Sequence, residues 1–261
     1  MGTKEYQLFL QNFNLFPKDK NRCIKTAEEF FKIPKEEWPQ YWLDDSGTYS
    51  ATTAIENNEP LIDIEAQART QNLPIIFASG ATEYSSTGND LLLRKGAMER
   101  LFVAEAKVRA ASDGLFTLMV TDAFRPLTTQ RAHWEKIKTE FAHKENLSGQ
   151  ALYDRICPLI ADPDLQPPHC TGGAVDLTLF NLTTQAEVPM GTPIDVFDTE
   201  LTWTWHSNIT DPETRKNRAL LYWAMLDSGF INQPQEWWHY SYGEREWACR
   251  TGINQAIYRP L

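Results

Sequence analysis

Two short segments of the chain carry residues whose types and spacing suit metal binding and proton transfer. The first is Pro168-His169-Cys170-Thr171-Gly172-Gly173-Ala174-Val175-Asp176. Imidazole and carboxylate are both good zinc ligands, and the glycines let the backbone turn so that His169 and Asp176 can converge. The same segment also reads as a loop His and a strand-face Asp with unrelated roles. The second is Glu236-Trp237-Trp238-His239-Tyr240. On an ideal strand two residues three apart point to opposite faces, so shared work by Glu236 and His239 requires a bend or a helical turn. With that bend, His239 becomes a third protein ligand, and Glu236 stays off the metal and takes a proton from a bound water. Three ligands and an open water position make the catalytic zinc arrangement, not the closed structural one.

Together these segments resemble a family of zinc peptidases that cleave D-amino-acid bonds in bacterial cell-wall peptides. His169 to Asp176 is similar to its SxHxxGxAxD element, and Glu236 to His239 to its ExxH element. Asp176-Leu177-Thr178-Leu179, Pro189-Met190-Gly191-Thr192-Pro193-Ile194-Asp195, Glu236-Trp237-Trp238-His239-Tyr240 and Asp122-Ala123-Phe124-Arg125-Pro126 narrow the match to the D-alanyl-D-alanine dipeptidase branch, of the vancomycin-resistance type. The resemblance spans roughly residues 75 to 250. It implies an α+β fold with a small, mainly antiparallel sheet bearing a Zn2+ site and helices around it. It implies His169, Asp176 and His239 as zinc ligands, with Glu236 as general base and later general acid. Arg125 would hydrogen-bond the scissile carbonyl oxygen as it becomes an oxyanion, and Asp195 would bind the substrate's free amino group. The implied substrate is D-Ala-D-Ala or a related D,D-dipeptide. One position departs from the pattern: Pro167 stands where the family element begins with Ser, which leaves open how the substrate's terminal carboxylate is held. Alternatives to a dipeptidase are a D,D-carboxypeptidase or endopeptidase on longer peptidoglycan peptides, and an inactive cell-wall or protein-binding module on the same fold.

Of the other histidines, His133 and His143 sit among Lys and Glu in a helical segment and read as surface residues, while His206, in Trp203-Thr204-Trp205-His206-Ser207, has no assigned role. Cys170 adjoins a ligand, but neighbouring residues seldom both bind one ion. Cys23, Cys157, Cys170 and Cys249 form no CxxC pair, so no disulfide framework is expected, although one or two bridges stay open. Trp237 and Trp238 could wall the site, and Trp203 and Trp205 could line its entrance.

Elements that position these residues follow from the pattern. Ile75–Ala78 and Leu115–Thr121 read as strands, and Gly173–Phe180 as a strand with Ala174, Asp176 and Thr178 on one face. Ser79 to Asn89 reads as a loop, and Asp90 as the N-cap of a long helix with the stripe Leu93, Ala97, Leu101, Ala104, Val108 and Ala111. Helices are expected over 128–142 and about 150–160, and another from an Asp211 cap and Pro212 to Ser228. Gln235 to Tyr242 is β-prone. Residues 1–72 read as a helical or irregular extension packed on a catalytic domain at 73–261. In a chain of 261 residues with net charge −10 and no apolar run long enough to span a bilayer, neither nucleic acid nor a membrane span is expected. The first residues show no basic-then-apolar leader, and both cytoplasmic and extracytoplasmic locations stay open.

Overall fold

The two longest strands, β5 (Phe116–Asp122) and β6 (Ala174–Asn181), are the spine of the molecule. In the computed structural model, residues 52–78, 91–196, 199–206, 208–251, 253 and 255–261 are described. In chain order they form β1 (Thr53–Ala54), β2 (Leu61–Asp63), α1 (Ile64–Thr70), β3 (Ile76–Phe77), β4 (Leu92–Arg94), α2 (Lys95–Ala111) and β5. Then come α3 (Leu127–Glu145), α4 (Gly149–Ile156), a 3-10 turn at Pro168–Thr171, β6, and β7 (Ala186–Glu187). After a second 3-10 turn at Glu200–Thr202, the chain closes with α5 (Pro212–Leu226), β8 (Ile231–Asn232), β9 (His239–Ser241), α6 (Arg245–Thr251) and β10 (Gln255–Ala256).

The main sheet runs β3-β5-β6-β9-β8, with β7 also on β6. β3 is parallel to β5 and the other pairings are antiparallel. The fold is α+β. Strand alternation sends Val175, Leu177 and Leu179 into the core, with Leu118 and Val120 of β5, Leu101, Ala104 and Val108 of α2, and much of α5. The alternate residues of β6, Asp176 among them, are thereby left for chemistry on the other face. A second, smaller cluster joins α3 to α4 through Trp134, Ile137, Phe141, Leu152 and Ile156.

Residues 52–72 are woven into the same body. Ile64 and Ala68 lie in the main core, β1 pairs with β10 near the C-terminus, and Asp63 caps α1 by accepting from the Ala66 amide at 2.9 Å. Most of the expected extension, up to residue 51, together with the 79–89 loop and the Asp90 cap, lies outside the described residues.

Three elements differ from the expectation. Leu93 belongs to a strand, not to the long helix, because β4 pairs antiparallel with β2, an interaction that local periodicity does not reveal. α2 therefore starts at Lys95, and its first-turn amide on Gly96 is satisfied by the Glu59 carboxylate at 2.7 Å. α3 runs one turn beyond the predicted end, to a left-handed Asn146. The β-prone aromatic run is a strand only from His239; the residues before it form a turn. By contrast α5 starts as predicted, with Asp211 accepting from the Thr214 amide at 2.8 Å and Pro212 at the first position.

Leu101 is fully buried between α2 and the spine. Leu101→Ala is expected to lower unfolding stability by about 2–5 kcal/mol through lost burial and a residual cavity. Urea denaturation measures this, and a loss under 1 kcal/mol would mean that α2 is not packed as described.

Candidate active site

Pairing in the sheet builds the site. Asp122 on β5 is the register partner of Asp176 on β6, and Asp176 is the partner of His239 on β9. Directly opposed residues in neighbouring strands project from the same face, so three polar side chains stand in one rung. A bulge between Val120 and Asp122 adjusts the register at the last step of β5.

His169 reaches this rung from the 3-10 turn. Gly172 closes that turn at φ +73°, a left-handed conformation that strains an L side chain, and a Cβ there would also press on Leu61 Cδ2 at 2.5 Å. Arg94 braces the turn from behind, donating from Nε to the Thr171 carbonyl at 2.9 Å and from its amide to the Gly172 carbonyl at 2.8 Å. His169 Nδ1 donates to the Ala123 carbonyl at 2.6 Å. That bond fixes the tautomer and leaves the Nε2 lone pair facing the rung. Nε2 lies 3.3 Å from Asp176 Oδ2 and 3.2 Å from His239 Nδ1, and His239 Nδ1 lies 2.9 Å from Asp176 Oδ1.

The three side chains are buried, and one ligand atom from each lies within 4.8 Å of the others. Two nitrogen lone pairs and a carboxylate at this spacing need positive charge between them. Although burial alone would lower it, the Asp176 hydrogen bond and charge raise the His239 pKa to about 9, and a proton then supplies that charge. Against its own desolvation, the two imidazoles hold the Asp176 carboxyl far below the usual carboxylate range. A divalent cation takes the place of such a proton with the same donors. The set of two imidazoles and one carboxylate suits Zn2+.

Glu236 lies on the turn that precedes β9. Its amide donates to the Gln233 carbonyl at 3.0 Å and the His239 amide donates to the Glu236 carbonyl at 3.2 Å. Asn232 Nδ2 tightens the turn by donating to the carbonyls of Glu236 and His239. This supplies the bend that an extended strand lacks, and Glu236 Oε2 comes within 3.9 Å of His239 Nδ1. Its side chain is 29% exposed, against 8% for His239. Burial, with the negative charges of Asp176, Asp195 and Glu246, raises the Glu236 pKa to about 8, in spite of His239.

Arg125 is tied to the rung. Nη2 donates to Asp122 Oδ2 at 2.6 Å and Nη1 to Gln130 Oε1 at 2.8 Å, while the buried Nε has no hydrogen-bond partner among the described residues. Desolvation would lower the Arg125 pKa, but Asp122, followed by Asp176 and Asp195, raises it. Asp195, half-buried in a left-handed turn at φ +58°, acts electrostatically on both Arg125 and Glu236.

A family profile described as D-ala-D-ala dipeptidase, Peptidase_M15, matches residues 65–257. The chain belongs to that peptidase family. Among family members, the D-alanyl-D-alanine dipeptidase of a Synechocystis strain is 28% identical over 77% of this chain and 88% of its own. Those of Enterococcus faecalis and Enterococcus faecium are 31% and 33% identical, over 54% and 52% of this chain and 68% and 66% of theirs.

Other sequence candidates fall elsewhere in this dipeptidase-family chain. His206 pairs with Glu200 at 3.0 Å, His143 is exposed and His133 half-buried. Cys170 is fully buried outside the ligand cluster, with a thiol that burial pushes up to about 11. Cys157, Cys170 and Cys249 form no disulfide among the described residues. Trp205 does not line an entrance; it is buried against Tyr222, with ring centroids 4.6 Å apart. Sequence reasoning gave no role to Asp122, Gln130, Asn232 or the Ala123 carbonyl. Asp122 stood in view three residues before Arg125, but its place beside Asp176 depends on strand register.

The proton on His239 sets a pH dependence. Below about 9 it must leave before a cation can bind, so metal affinity is expected to rise about tenfold per pH unit until that pKa is passed, then level. Chelator competition at several pH values measures this; affinity independent of pH from 6 to 8 would contradict it.

Proposed function

We propose that the chain is a zinc-dependent dipeptidase that hydrolyses D-Ala-D-Ala or a related D,D-dipeptide. The observation that carries this reading is the buried convergence of His169, Asp176 and His239 with the Glu236 carboxylate 3.9 Å from one of them. His169 would hold zinc through Nε2, His239 through Nδ1 and Asp176 through a carboxylate oxygen. When bound, zinc supplies Lewis acidity toward the peptide carbonyl and acidifies the attacking water.

Glu236 takes a proton from that water onto a carboxylate oxygen as the water oxygen bonds to the carbonyl carbon. The protonated carboxyl then gives the proton to the leaving nitrogen as the C–N bond breaks, so one residue serves both half-steps. Its partial exposure lets it meet substrate, and burial keeps its basicity above that of an ordinary carboxylate. A neighbouring cation would draw this pKa back down.

Arg125 would meet the reaction with a guanidinium held in place by Asp122 and Gln130, and a fixed cation suits an oxygen that gains negative charge only in the transition state. Asp195 receives the substrate ammonium. A carboxylate at that end favours a free amino terminus over an acylated one, which separates a dipeptidase from a carboxypeptidase on longer peptides. All six residues lie within residues 65–257, the stretch that the family profile matches. With net charge −10 the chain is not suited to nucleic acid, and no helix among the described residues is long and apolar enough to cross a membrane.

Turnover of D-Ala-D-Ala, L-Ala-L-Ala and N-acetyl-D-Ala-D-Ala, with zinc content measured alongside, tests the proposal. The free D,D-dipeptide is expected to be preferred; preference for the acylated peptide, or no turnover of any D,D-peptide at one zinc per chain, would overturn it. Glu236→Gln is expected to lower kcat by roughly 10²–10⁴-fold with zinc retained, and Arg125→Ala by roughly 10²–10³-fold. Full activity in either variant would remove that residue from the mechanism.

A further inference from the structure

Arg218 on α5 takes no part in the proposed chemistry, yet it is buried at 1% exposure. Its guanidinium donates to three backbone carbonyls: from Nε to Met190 at 2.7 Å, from Nη1 to Trp203 at 2.8 Å and from Nη2 to Leu201 at 2.7 Å. It also lies over the Trp237 ring, 5.5 Å from the centroid. Among the described residues no carboxylate pairs with it, and burial lowers its pKa to about 9. A buried guanidinium without a carboxylate is costly, and a neutral side chain would serve as well if packing on α5 were its only role. What the guanidinium adds is a rigid fork that reaches acceptors on separate segments.

Those segments flank the proposed site. Met190 belongs to the Pro189–Asp195 stretch, whose first three residues pack on α5. Gly191 sits at φ +88°, where a Cβ would come 2.9 Å from Thr214 Cγ2, and Asn217 Nδ2 donates to the Pro189 carbonyl at 2.9 Å. Farther along, Thr192 Oγ1 accepts from the Trp237 indole at 2.9 Å. The Trp237 amide donates to the Thr202 carbonyl at 3.0 Å, which ties the 200–204 segment to the residue that follows Glu236. Arg218 thus joins the Asp195 stretch, the 200–204 segment and the Glu236 turn at one point.

We infer that Arg218 is a positioning residue that sets Asp195 against the Glu236 turn and so fixes how tightly the substrate's amino group is held. The inference rests on the reading of Asp195 as the ammonium binder. It is tested with the full, zinc-loaded chain by measuring kcat, KM for D-Ala-D-Ala and zinc content in Arg218→Lys, Arg218→Gln, Asp195→Asn and the Asp195→Asn/Arg218→Gln double variant. Arg218→Gln removes the buried charge along with the fork, so folding does not have to tolerate an ammonium in its place.

Either Arg218 variant is expected to raise KM by about tenfold or more while kcat stays within about threefold and zinc stays at one per chain. A structural role alone would reduce the active fraction and lower kcat at constant KM. Because Arg218 acts through Asp195, Arg218→Gln is expected to add less than about twofold to KM in the Asp195→Asn background. An unchanged KM in a folded Arg218 variant, or full additivity in the double variant, would overturn the inference while leaving Asp195 in place. If Asp195→Asn itself leaves KM unchanged, the reading of Asp195 fails and takes the inference with it. Asn217→Leu, which cuts only the neighbouring bond to Pro189, keeps the test open if neither Arg218 variant folds: a smaller rise in KM is expected, and no rise would overturn anchoring of the segment as the means.

Discussion

A carboxylate and two imidazole lone pairs brought together out of water are unstable neighbours unless positive charge lies among them. Asp176, His169 and His239 impose that condition at the centre of this chain, with polar atoms 2.9–3.3 Å apart. A proton meets it in part, which is why His239 is so basic and Asp176 so acidic. A divalent cation meets it fully, using every donor at once. Much of the surrounding architecture can be understood as what is needed to hold those donors in place without letting water in.

The sheet does most of this work. Because Asp122, Asp176 and His239 are consecutive partners across β5, β6 and β9, backbone hydrogen bonding fixes their spacing before any side chain contributes. The opposite face of β6 is aliphatic and fully buried, so a slip of register by one residue would put Asp176 into the core and Val175 or Leu177 into the site. Core packing and site geometry are thus one constraint. His169 alone comes from outside the sheet, and its turn is held by Gly172, by Arg94 and by the Ala123 carbonyl. The same β5 end that supplies Asp122 and Ala123 continues into Arg125, so the proposed metal ligands and the proposed oxyanion donor share one support.

How much of this the sequence discloses depends on whether a feature is local. Turn glycines, the Asp211-Pro212 helix start, the alternation of β6 and the two ligand-bearing segments are local, and the structure forms each of them. The β4 strand is not: Leu93 fits a helical stripe and becomes strand because Ile62, some thirty positions earlier, pairs with it. The turn at Glu236 is intermediate. Four aromatic or β-prone residues argue for a strand, but Asn232 binds two carbonyls of the turn and holds it bent. Asp122 and Arg218 went unassigned for the same reason as β4, since the first gains its place through register and the second through carbonyls contributed by distant loops.

The central claim is that His169, Asp176 and His239, and not the adjacent thiol of Cys170, hold a single zinc ion. X-ray absorption at the zinc edge of the loaded protein tests it most directly. The account predicts a first shell of nitrogen and oxygen at about 2.0–2.2 Å, with the outer-shell scattering of two imidazoles and one ion per chain. A sulfur neighbour at about 2.3 Å, or a shell without imidazole, would contradict it.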